Sequence, residues 1–215
     1  MKANFGGMIK LGAVLALFAA AACVMLAFVY SGTSGIIAQR EQAALAASLK
    51  ELFPDADRFE VIDKIQSPDS AVTIETAYKA IKDNEITGAA LRLSRASYSG
   101  PIKILAGINI NGNTASTISG VRILEHSDTP GLGANAASPK YFVDRANGIT
   151  FYGQFTAKHV NDPFEVGKDV SVITASTVTS RAVAASVKAA GLAVSAWISG
   201  TEVEVVSGAT EREAR

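Results

Sequence analysis

The stretch IKILAGININGNTASTISGVRILE, residues 102–125, decides the fold. A β-like run over 102–110 meets Asn111-Gly112, and 119–125 continues as its partner strand. Asn-Gly readily takes the positive-φ conformation that tight hairpin turns demand, so this is a strong hairpin signal. Upstream, further β-like runs cover 59–62, 71–81 and 86–93, and Asp83-Asn84 marks another tight turn between two of them. Strands joined by turns this short form a meander, which predicts an antiparallel sheet and, with the helices below, an α+β domain.

Downstream the pattern breaks at a loop, His126-Ser127-Asp128-Thr129-Pro130-Gly131-Leu132-Gly133. Residues 138–147 read as a short helix, with Ser138 as N-cap and Pro139 at the first helical position. Residues 149–155 read as another strand. The clearest helix is 177–190, with Ala182, Val183, Val187 and Ala190 on one side and Gly191 as its stop. Residues 192–198 either extend it or end it. The charged end, 211–215, is expected to fray.

The N-terminus is different. No Asp, Glu, Lys or Arg occurs between Leu11 and Ala38, and Leu11 to Tyr30 is apolar apart from Gly12. A helix of that length spans about 30 Å, the hydrocarbon thickness of a bilayer. Lys2 and Lys10 precede it, as in a signal peptide, but its apolar core is too long for one, and Ala20-Ala21-Ala22-Cys23 is only a loose match to a lipoprotein site. A retained anchor is expected, with the N-terminus cytoplasmic and the rest facing outward, on the periplasmic side, by the positive-inside rule. Residues 36–53 then form a linker helix, ended by Pro54. The division is 1–35 anchor, 36–56 linker, 57–205 domain and 206–215 tail.

Composition narrows the chemistry. Twenty basic and twenty acidic side chains cancel in the 215 residues, which argues against a nucleic-acid partner. One cysteine, Cys23, and two histidines exclude a disulfide framework, a Cys-ligated cluster and a structural zinc site. Any redox chemistry must therefore come from a bound organic cofactor. His126 reads as a hydrogen-bonded loop residue, His159 as surface and Trp197 as core.

One segment carries a site signal. Ser171-Val172-Ile173-Thr174-Ala175-Ser176-Thr177-Val178-Thr179-Ser180-Arg181 crowds hydroxyls at the start of the clearest helix, where unpaired N–H groups and the dipole favour an anion. Simple N-capping would use the same residues. A phosphate there would gain the amides and Arg181.

The segment 169–183 resembles the flavin-attachment segment of the FMN-binding domain family. There an Asp precedes a Ser/Thr-Gly-Ala-Thr core, followed by a helix beginning Ser-Arg/Lys-Ala-Val. The core here is Thr174-Ala175-Ser176-Thr177, continued by Thr179-Ser180-Arg181-Ala182-Val183. The loop from Glu125 to Gly133 is similar to the family's Glu-His-x-Glu-Thr-Pro-Gly-Leu-Gly. Tyr98-Ser99-Gly100-Pro101-Ile102 with Gly107-Ile108 resembles the block before it.

The resemblance implies FMN esterified through its phosphate to Thr177, with Thr174, Ser176, Thr179 and Ser180 around the attachment. It also implies that the ring lies against the 129–133 loop: Thr129 bonds its edge, Gly131 allows close approach and Leu132 packs on it. Tyr98 is equally readable as near the site or as core. Within the family the chain is most similar to the G subunits of Rnf-type complexes, and next to the C subunits of sodium-translocating NADH:quinone reductases. That implies an electron-carrier subunit rather than a complete enzyme. Its partners would be the other membrane subunits, the lipid bilayer and a flavin transferase, and the complex would couple ferredoxin–NAD electron transfer to cation movement. The departures are Ala175 for Gly and Ser176 for Ala, and an alanine is costly if that turn needs a positive φ. They keep open a non-redox anchored binding domain. A hydrolase with a Ser or Thr nucleophile is a weaker alternative. A literal Ser207-Gly208-Ala209-Thr210 offers a second attachment candidate, but lacks the helix signature and is trailed by Glu211 and Glu213.

Overall fold

The computed structural model describes residues 5–200. The tail and the Thr210 candidate lie outside the described residues. Two compact units divide at Ala47 and Ser48.

Helix α1, Phe5–Leu52, begins in the first unit and ends in the second. The soft stretch Ser31-Gly32-Thr33-Ser34-Gly35 does not interrupt it. There Thr33 Oγ1 donates back to the Val29 carbonyl at 2.8 Å, satisfying the hydroxyl inside the helix. The apolar side chains of the first unit are bare: Phe28 is 81% exposed and Leu26 71%. Among the described residues two helices are long and apolar enough to cross a membrane. In the other, the C-terminal helix, 56% of the apolar stretch is buried, as in a core helix, whereas none of α1's is.

The second unit is the expected α+β domain. Strands β1 (Arg58–Val61), β2 (Val72–Lys82), β3 (Glu85–Ala96), β4 (Pro101–Asn111) and β5 (Thr114–Glu125) form an antiparallel sheet in sequence order. Alternation along the strands gives it two buried faces. Ala89, Leu91, Leu93, Ile104, Ala106 and Ile108 turn to the main core with the C-terminal helix α2, Thr177–Ser199. Ala182, Val183, Val187, Ala190 and Val194 are the buried stripe of α2, and their small size lets the helix lie close on the sheet.

The opposite face accepts the end of α1. Leu49, Leu52 and Phe53 are buried there with Ala80, Ala90 and Leu105. Room comes from glycines: a Cβ at Gly88 would stand 2.2 Å from Phe53 Cε1, and one at Gly120 2.8 Å from Leu52 Cδ2. Ser119 Oγ donates to the Leu52 carbonyl at 2.5 Å, and Arg122 forms a two-pronged pair with Glu51. That pair holds the Glu51 carboxyl below its ordinary range. Burying each of the three large side chains contributes about 1.5–3 kcal/mol.

Three local expectations are corrected. Residues 138–147 are not a helix. The Ser138 hydroxyl accepts from Lys140 N–H, and Asp144 Oδ1 accepts from Ala146 and Asn147, so both side chains close turns instead. The segment carries β6 (Phe142–Asp144), paired with β7 (Ile149–Thr150). Residues 149–155 are strand only at their start; a 3₁₀ turn, Gly153–Phe155, follows, which buries Phe151 and Phe155 edge to face at 5.8 Å. Gly191 does not stop α2. A Cβ there would lie 3.1 Å from Val160 Cβ, so the glycine serves packing, and the helix ends at Gly200 with φ +67°.

Candidate functional site

The β3–β4 turn, the 126–133 loop and the start of α2 converge on a cleft of about 410 Å³. Its walls are Tyr98, Asp128, Thr129, Leu132, Gly133 and the run from Ala175 to Thr179. The start of α2 and the Pro-Gly loop, 46 residues apart from Gly131 to Thr177 (177 − 131), therefore face one space.

Each wall is fixed locally. In the loop, Leu132 N–H donates to the Thr129 carbonyl at 3.1 Å across Pro130 and Gly131, and Gly131 has φ +80°. Proline second and a positive-φ glycine third are what a type II turn requires. Asn135 Nδ2 donates to the Gly131 carbonyl at 2.9 Å. Gly131 is thus a turn residue and is not among the lining residues, whereas Thr129 and Leu132 are.

Two side chains set the approach to α2. Gln154 treats Ser171 as a strand neighbour, its Oε1 accepting Ser171 N–H at 2.7 Å and its Nε2 donating to the Ser171 carbonyl at 3.3 Å. Tyr141 Oη accepts Thr174 N–H at 3.3 Å. Ala175 then turns the chain with φ +59°, the backbone a glycine would take freely.

The hydroxyls divide by what they bond. Ser180 is buried below the site, accepting Ile173 N–H at 3.0 Å and donating to the Ser176 carbonyl at 2.9 Å. Thr174 is exposed and outside the cleft walls. Thr179 donates to Asp128 Oδ2 at 2.8 Å. Ser176 is the N-cap residue by backbone but makes no side-chain cap. Thr177 is exposed on the cleft wall, and its hydroxyl has no partner among the described residues. The helix thus opens into the cleft with uncapped N–H groups and a free hydroxyl beside them. Arg181 is exposed and off the cleft walls, so the cation expected beside an anion there does not line it.

Asp128 is the residue that sequence reasoning passed over. It is only 7% exposed, accepts Ser99 N–H on Oδ1 at 3.1 Å, and on Oδ2 takes Thr179 and, at 3.1 Å, Ser97. Gly133 makes room for it, since a Cβ there would fall 2.6 Å from Oδ2. Its place at the acidic position of the loop motif was the available signal. Tyr98, at the turn tip, lines the mouth and is 78% exposed, so it is a site-rim residue and not core. His126 Nδ1 is buried without a hydrogen-bond partner among the described residues, against the expectation, while His159 is exposed and Trp197 packs partly buried on the core. No group of potential metal ligands occurs among the described residues.

A cleft with apolar Leu132 and Val178, a tyrosine at its mouth, and a helix start beside a free hydroxyl fits a planar ring linked to a phosphate. Comparison with known proteins agrees. Residues 97–191 match the FMN-binding domain, and residues 1–52 match the RnfG N-terminal region. The chain is 32% identical over 191 residues to the G subunit of the ion-translocating oxidoreductase complex of Vibrio cholerae, covering 84% of this chain and 87% of that one. The G subunit of the complex of the same name from Methanosarcina acetivorans is 28% identical over 81% of this chain and 87% of its own. The G subunit of the Na(+)-translocating ferredoxin:NAD(+) oxidoreductase complex of Acetobacterium woodii is 28% identical over 83% and 87%.

Proposed function

The chain belongs to the family of G subunits of ion-translocating oxidoreductase complexes, and from that premise we propose that it is a membrane-anchored electron carrier with FMN joined to Thr177 by a phosphodiester. The observation that carries this is the meeting of the 129–133 loop and the start of α2 in one cleft, with the Thr177 hydroxyl free on its wall.

FMN bound there would supply reversible electron transfer. The protein's part is to hold and place it. Thr177 Oγ1 would carry the ester, and the Thr177, Val178 and Thr179 N–H groups would face the remaining phosphate charge. Leu132 and Val178 give the ring apolar contact, and Thr129 offers polar groups at the opposite wall. Asp128 ties those walls together through Thr179 and Ser99. Tyr98 narrows the mouth.

Thr177 is favoured over its neighbours because Thr179 and Ser180 are already bonded, Thr174 lies off the cleft and Ser176 is buried whereas Thr177 is exposed. Ala175 favours the carrier over a domain that has lost attachment: the turn keeps its positive φ although the glycine is gone. A flavin transferase would install the ester. The anchor would be retained with its N-terminus cytoplasmic, leaving the 57–205 domain on the periplasmic side. Covalent attachment suits that location, since a lost flavin would not be replaced there. The other subunits of the complex would exchange electrons with it.

The test is co-expression with a flavin transferase and a denaturing gel read by flavin fluorescence. Wild type should give a fluorescent band that Thr177→Ala abolishes and Thr210→Ala retains. A dark wild-type band beside a fluorescent relative would refute the proposal.

A further inference from the structure

Resting on the FMN reading above, we propose that the cleft selects flavins whose tail carries at most one negative charge, with Asp128 setting that limit. Free FMN is then a poor ligand and riboflavin a better one, so the ring settles in the cleft after the ester forms.

The walls of the cleft contain no Lys, Arg or His, and Asp128 is the acidic residue among them. Its carboxylate is buried and bonded to Thr179, two residues beyond the attachment threonine, so its charge lies against the same helix start that a phosphate must use. That helix start offers about half a positive charge. Asp128 offsets it in advance. The cationic side chain nearest in sequence, Arg181, is exposed and off the walls.

A phosphate monoester carries about −1.5 to −2 near neutral pH. Esterification to Thr177 removes one ionisable oxygen and leaves a diester of single charge. Free FMN therefore brings a further negative charge into a site that has no side-chain cation to meet it. Riboflavin brings none. Once the tether exists, the lost affinity is immaterial, because the ring is held at a high effective concentration beside its own cleft.

The experiment uses the full chain in detergent micelles with Thr177→Ala, so that no ester can form. FMN and riboflavin are titrated separately at pH 8 and low salt, and binding is read from flavin fluorescence. Riboflavin should bind at least about fivefold more tightly than FMN. Adding Asp128→Asn should tighten FMN about tenfold, by removing a nearby like charge, and move riboflavin less than about threefold. Raising the salt concentration should also tighten FMN while leaving riboflavin nearly unmoved, by screening the repulsion, which checks the charge argument should Asp128→Asn misfold. The proposal is overturned if FMN equals or beats riboflavin, if the Asp128 change shifts both flavins alike, or if neither flavin saturates. In that last case a fluorescent Thr177 chain on the denaturing gel leaves the carrier reading intact, and its absence removes both.

Discussion

The Thr179 hydroxyl donates to Asp128 Oδ2 at 2.8 Å, joining the first turn of α2 to a loop 51 residues earlier. Both residues are buried, so the bond sits where an unmatched polar atom is expensive. Thr179→Val keeps the shape and removes the donor. It should cost about 1–3 kcal/mol in urea unfolding, with Thr179→Ser recovering most of the loss.

Ala175 holds φ +59° on the approach to α2. An L-residue in that region is strained by about 1–2 kcal/mol relative to glycine, part of which is offset by the greater freedom of glycine in the unfolded chain. Ala175→Gly should therefore raise stability by about 0.5–1 kcal/mol in thermal unfolding, and should increase the rate of flavin attachment, since it relaxes the turn before Thr177.

Phe53 and Gly88 form a plug and socket on the sheet face away from α2. Phe53→Ala should cost about 3–5 kcal/mol by emptying a buried site. Gly88→Ala should be nearly as damaging alone, because its Cβ would meet the ring at 2.2 Å. Combined with Phe53→Ala it should add little, and a double-mutant cycle would read that coupling.

Asp169 anchors the bend that precedes the approach to α2. Burial pushes its carboxyl up, but Glu165 N–H at 2.6 Å, Lys158 Nζ at 3.2 Å and Phe164 N–H at 3.1 Å together hold it below its ordinary value. A lowered folded-state value means that this contribution is complete above the unfolded-state value, about 3.9, and is lost as pH falls through the folded one. Asp169→Asn should be less stable than wild type at pH 7, and the gap should close below about pH 4. Unfolding curves at both pH values check this.

The meander was legible because Asp83-Asn84 and Asn111-Gly112 mark their turns locally, the second one residue early: Asn111 ends β4 opposite Thr114, Gly112-Asn113 make the turn, and β5 begins at Thr114 rather than at 119. The apolar N-terminus was legible for the same reason. The region 138–155 was not. Ser138 and Asp144 serve helix caps and turns alike, and the choice was made by tertiary packing of Phe151 and Phe155. Gly191 misled because its reason, Val160, lies elsewhere in the chain. At the site, the 169–183 segment and the 125–133 loop were readable as motifs. Asp128 was not, since a buried acid shows its role only when Ser97, Ser99 and Thr179 are brought to it.

The most direct test of Thr177 attachment is the mass of tryptic peptides from the chain matured with a flavin transferase. Cleavage after Lys168 and Arg181 releases 169–181, and cleavage after Lys188 and Arg212 releases 189–212, which holds Thr210. Peptide 169–181 should be heavier by FMN less one water, with fragmentation placing the addition on Thr177. Addition on 189–212, or on neither peptide, would contradict it.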